Sequence, residues 1–111
     1  AREESDKRNE DARAAARAEA DKILQEAREQ ADLIRKKAGE AAEIVKKEAA
    51  LNGDKMIKQA KDPVSKRIAE EAAKKLNQEA DEKARKIIQE ADNKANALIK
   101  EAQAKADRLL Q

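Results

Sequence analysis

Few side chains in this sequence could do covalent chemistry. The chain has no histidine and no cysteine, and its hydroxyl groups are those of Ser5 and Ser65. A serine nucleophile needs a base within hydrogen-bond reach. Near Ser65 the sequence offers only Lys and Glu, and its place just after Pro63 suits a helix-start serine. Metal binding would fall to carboxylates. Asn52-Gly53-Asp54 and Glu70-Glu71 come nearest to a cluster, but neither lies in the Asp-x-Asp-x-Asp-Gly loop that calcium sites use, so both read as solvated surface. Two glycines cannot build a phosphate-cradling loop. The expectation is a non-enzymatic chain with no catalytic residue, no metal site and no cofactor.

Charge excludes other classes. The 26 cations are interleaved with 24 acids, so Lys36-Lys37, Lys46-Lys47 and Lys74-Lys75 read as solvated flanks. Nucleic acid is held through net positive charge and aromatic stacking. Here the net charge is +2 and aromatics are absent, so no nucleic-acid partner is expected. A membrane-surface helix needs bulky apolar anchors. The apolar face here is half Ala, so no direct membrane insertion is expected.

The elements that carry these residues follow from composition. Ala, Glu, Lys, Arg and Leu make up 74 of the 111 residues. That bias, with helical periodicity, marks long helices and coiled coils. Only 18 side chains are Leu, Ile, Val or Met, enough to line a thin seam and too few for a thick core.

The periodicity is 11 residues. Ala20-Asp21-Lys22-Ile23-Leu24-Gln25-Glu26-Ala27 recurs as the stretches starting at Ala31, Ala42 and Gly53. Each has a small residue, an aliphatic pair or single three to four positions on, and Ala at offset seven. The second half repeats likewise, with Ala69, Ala80, Ala91 and Ala102 standing 11 apart. The expected oligomer seam comprises Ala20, Ile23, Leu24, Ala27, Ala31, Ile34, Ala38, Val45 and Ile57 in the first half. In the second half it comprises Leu76, Ala80, Ala84, Ile87, Ile88, Ala91, Leu98, Ala102 and Leu109. Eleven residues over three turns slightly exceed the relaxed 3.6 per turn, so the seam should wind gently right-handed. Oppositely charged pairs four apart, such as Asp32–Lys36, Glu82–Lys86 and Glu101–Lys105, support the outer faces.

Two signals break the stripe at one place. Asp62 is a good N-cap, and Pro63, which cannot continue a helix, suits a first helical position. The first-half and second-half stripes are also out of phase by about half a turn. Asn52-Gly53 is a weaker stop. Met56, Ile57 and Ala60 continue the register beyond it, which favours Gly53 inside the helix. The expected organisation is a polar helical start at 1–11, exposed and frayed, a helix over 12–61, a break at 62–64, and a helix over 65–111. The fold class is all-α: a long hendecad coiled coil, read as an antiparallel hairpin assembling into a right-handed bundle. The alternative is one long kinked helix in a parallel oligomer.

A lone hairpin would leave half of each aliphatic pair wet. The expected partner is therefore the chain itself, as a dimer of hairpins or a parallel tetramer, with another coiled-coil helix as the other candidate.

The units ADKILQEAREQ and ADEKARKIIQE resemble the peripheral-stalk helices of rotary ATPases, and the whole chain resembles small hendecad-repeat bacterial envelope proteins. These resemblances imply an elongated, non-catalytic strut, spacer or oligomerisation element, and a bacterial cell-envelope setting. A helix-binding module for a stalk-like partner is the first alternative. A second resemblance is to desiccation-protection (LEA-type) proteins with 11-residue repeats. The aliphatic pairs Ile23-Leu24, Ile44-Val45 and Ile87-Ile88 favour a packed seam over a chain that stays disordered.

Overall fold

The computed structural model describes residues 2–111. The fold is an all-α helical hairpin of two long helices: α1, Arg2–Gln59, and α2, Pro63–Leu110. The alternative of one kinked helix is set aside, because the chain reverses at residues 60–62. α1 is already helical at Arg2, with residues 2–15 exposed throughout. The acids Glu3 and Glu4 in its first turn and Lys58 in its last complement the helix dipole.

The break falls on 60–62 rather than 62–64, and α2 begins at Pro63 rather than at residue 65. The reason is local. Asp62 caps α2: its carboxylate accepts the Ser65 backbone N–H at 2.8 Å and the Ser65 hydroxyl proton at 2.7 Å. Its carbonyl accepts the Lys66 N–H at 2.9 Å, the first full turn of α2. Pro63 has no N–H to donate, and at this position none is needed. Ser65 thus has the helix-start role its place implied.

These bonds hold the Asp62 carboxyl below its ordinary value of 3.8, the Ser65 backbone N–H contributing most and its hydroxyl next. A carboxylate with a depressed folded-state pKa stabilises above its unfolded value and loses that contribution as pH falls through the folded value. Asp62→Ala is therefore expected to lower the melting temperature at pH 7, with the gap to wild type closing as pH falls below 3.8. A gap independent of pH would assign the loss to something other than the charged cap.

Packing divides the chain into two compact units. One joins the segment through Ile34 to Asn93–Gln111; the other is Arg35–Asp92. In the Arg35–Asp92 unit, Ala38, Ala42, Ala49 and Gly53 on α1 are buried against Ala69, Ala73, Ala80, Ala84 and Ala91 on α2. In the other unit the buried set is Ala20, Ala27 and Ala31 with Ala95, Ala102 and Ala106. Spacings alternate between seven and four on both helices. The buried apolar side chains are alanines alone, and no polar or charged side chain is buried among the described residues.

Gly53 lies within α1, with no positive φ. Its role is close approach. A Cβ built there would sit 3.0 Å from the Ala73 Cβ, with the Ala73 Cα at 3.5 Å. Glycine costs about 1 kcal/mol relative to Ala in a helix interior. The missing methyl lets the two helices come together near the turn. Gly53→Ala alone is expected to recover little or none of that 1 kcal/mol, because Ala73 is fixed to backbone and cannot swing away. In the Ala73→Gly background the same change should show its full gain. A double-mutant cycle by urea denaturation measures the coupling; an energy near zero would remove close approach as the reason for glycine.

Candidate functional site

No sequence-predicted residue clusters into a reactive centre. Among the described residues no group of three or more Asp or Glu side chains is placed to hold a metal ion, and no helix is long and apolar enough to cross a membrane. The organised chemistry of this chain is the alanine seam and the aliphatic rows beside it.

Register follows from two contacts in the Arg35–Asp92 unit. Gly53 is level with Ala73. The Arg35 Nε donates to the Asp92 Oδ1 at 3.2 Å. Each step along α1 is matched by an equal step back along α2, so Ala42 lies opposite Ala84. Ala84 is 1% exposed and Ala42 2%, whereas Ala38, Ala80 and Ala91 are 5–9% exposed.

The aliphatic side chains flank this line. With 11 residues in three turns, each residue advances about 98°. Two rows then lie about 50° to either side of the seam on each helix. On α1 they are Ile23, Ile34, Val45, Met56 and Leu24, Arg35, Lys46, Ile57. On α2 they are Leu76, Ile87, Leu98, Leu109 and Asn77, Ile88, Ile99, Leu110. Ile23 and Leu98 line one shallow groove with Ala27 and Ala102, so the Ile23 row and the Leu76 row share a face in that unit. Arg35 bridges to Asp92, one turn beyond Ile88, so the Arg35 row shares the opposite face with the Ile88 row.

Of the expected seam residues, Ala20, Ala27, Ala31, Ala38, Ala80, Ala84, Ala91 and Ala102 are buried between the two helices. Ile23, Leu24, Ile34, Val45, Ile57, Leu76, Ile87 and Leu98 are half-buried at its margins. Ile88 and Leu109 are exposed, each at 43%. At the centre of the hairpin the structure places only alanine and Gly53 among the described residues. It also adds Ala42, Ala49, Ala69, Ala73, Ala95 and Ala106, which the expected seam omitted. Their signal was available: Ala42, Ala73, Ala95 and Ala106 follow Ala38, Ala69, Ala91 and Ala102 by four, as Ala84 follows Ala80, and Ala49 and Ala69 stand 11 from Ala38 and Ala80.

The ion pair Arg35–Asp92 joins residues 57 apart in sequence and had no local signature. Both side chains are well exposed, so the pair contributes at most about 1 kcal/mol. Its larger effect is to make the Arg35 face of its unit polar. Of the expected pairs along the helices, Glu82–Lys86 closes to 3.9 Å and Glu101–Lys105 to 3.6 Å.

Comparison with known proteins found no match among family models, curated proteins or solved structures.

Proposed function

We propose that this chain is a non-enzymatic structural element, a helical-hairpin spacer, stalk or oligomerisation unit, that assembles with copies of itself. One observation carries the reading. The buried apolar positions are alanines, while Ile23, Leu24, Val45 and Ile87 are only partly covered beside them and Leu33, Ile44, Leu51 and Ile88 are 43–63% exposed. A buried Ala removes little apolar surface, whereas each fully buried Ile or Leu is worth about 1.5–3 kcal/mol. The hairpin therefore leaves part of its available hydrophobic stabilisation uncollected. Two-helix layers normally complete their burial against a further layer, as in four-helix bundles.

The test is circular dichroism at two concentrations together with light-scattering mass. Self-assembly predicts high helicity, a mass that is a multiple of 12.3 kDa, and melting that rises with concentration. A helical monomer whose melting ignores concentration overturns self-assembly and leaves a heterologous helix as the partner. A chain unfolded in dilute buffer and helical only on drying returns the desiccation-protectant reading.

A further inference from the structure

The turn lies within the Arg35–Asp92 unit. There the buried line of α1, through Ala42, Ala49 and Gly53, faces that of α2, through Ala69, Ala73, Ala80 and Ala84. Only residues 60–62 separate the two helices, and a single aspartate cap starts the second. A connection this short between two long helices invites an exchange, in which it straightens and α1 of one chain pairs with α2 of another. The placement of the buried alanines opposes that exchange. Continued through residues 60–62 as one straight helix, the α2 line would point about 160–200° away from the α1 line.

We propose that this half-turn offset between the two alanine lines confines the seam to pairing within one chain, independently of the Asp62 cap. Two straightened chains laid antiparallel touch along one side of each. With the α1 and α2 lines on opposite sides, such a pair buries α1 of one chain against α2 of the other. The remaining α2 and α1 lines are left pointing outward. Covering them takes further chains, and each added chain exposes a new line, so the array never closes. The hairpin covers both lines with one chain, at the high effective concentration that a three-residue connection supplies. Association of intact hairpins leaves this pairing unchanged, because it uses surfaces outside the seam.

Cross-linking reads which chain supplies α2. The sequence has no cysteine, and the Arg35 Nε lies 3.2 Å from the Asp92 Oδ1. In full-length Arg35→Cys/Asp92→Cys protein, a short bis-maleimide joins a hairpin to itself but joins two chains in an exchanged dimer. Each protein is refolded from urea over a concentration series, cross-linked, and its mass measured under denaturing conditions. The otherwise unchanged chain is expected to stay at the 12.3 kDa of one chain. So is Asp62→Ala/Pro63→Ala, which frees residues 60–62 to become helical; Asp62→Ala alone serves if that chain does not fold. Two alanines inserted after Lys61 of the Asp62→Ala/Pro63→Ala chain turn α2 by about 200° and bring both lines to one side. That chain is expected to shift predominantly to twice the mass. If it does not fold, deleting Lys61 and Asp62 from the Pro63→Ala chain turns α2 equally far the other way and takes its place. Cross-links between chains without the insertion or deletion overturn the proposal, since the cap alone then enforced the hairpin. Single-chain cross-links in a helical, phase-corrected chain overturn it too, since the offset then decides nothing.

Discussion

Ala84→Leu is expected to open the hairpin of the Arg35–Asp92 unit. Ala84 is 1% exposed and sits opposite Ala42, itself 2% exposed. A side chain this deeply buried has little space beside it for three further carbons. Packed interiors do not yield to added methylenes without backbone shifts, and overpacking costs about 1–3 kcal/mol. Here the shift would propagate, because the buried alanines of α1 and α2 in this unit lie along one line. The neighbouring seam alanines would lose their contacts as the helices part. Ala84→Asp should be worse still, since a charge there has no partner; removing a charge from water without one costs several kcal/mol. Lys86→Leu, on the exposed surface of the same helix, is the matched control and should change stability by no more than about 0.5 kcal/mol. Urea denaturation of the three variants decides the matter. If Ala84→Leu unfolds with the wild-type midpoint, the alanine line is not the packed centre of the hairpin.

The second large effect concerns assembly. Replacing Ile87 and Ile88 together with Asp is expected to reduce the particle mass to that of one 12.3 kDa chain and to abolish concentration-dependent melting. The double change charges both lateral faces of α2 at one level. Whichever face a second copy covers, it meets an unpaired carboxylate where an aliphatic side chain stood. Each lost aliphatic contact removes on the order of 1–2 kcal/mol, and symmetry repeats the loss in every copy. An unchanged mass together with unchanged melting would falsify assembly through the aliphatic rows.

Much of this architecture was legible from residue types and spacing. The 11-residue recurrence, the near absence of Gly and Pro, and the placement of Asp62-Pro63 lead to two helices and a bend. Gly53 could be kept inside α1 because Met56, Ile57 and Ala60 hold the register beyond it. The helix after the break starts at Pro63, as the Asp62 cap and the fixed φ of Pro63 imply, and the Asp62–Ser65 bonds close that cap. The candidate surface was half legible. Periodicity identified the stripe and its small residues, but not which rows the opposing helix covers.

Sequence by itself determined what is local: helix propensity, the three-turn period, the cap and the position of the break. Each depends on residues within about a turn of one another, where spacing and side-chain chemistry suffice. Tertiary structure alone decided what depends on the opposing helix. Ala and Ile rows lie only about 50° apart on a helix. Which row points at the neighbouring axis is settled by how closely two backbones can approach. Gly53 against Ala73 shows that approach to be close enough to admit only the smallest side chains. The same contact fixes the register that brings Arg35 to Asp92 and makes that face of the unit polar.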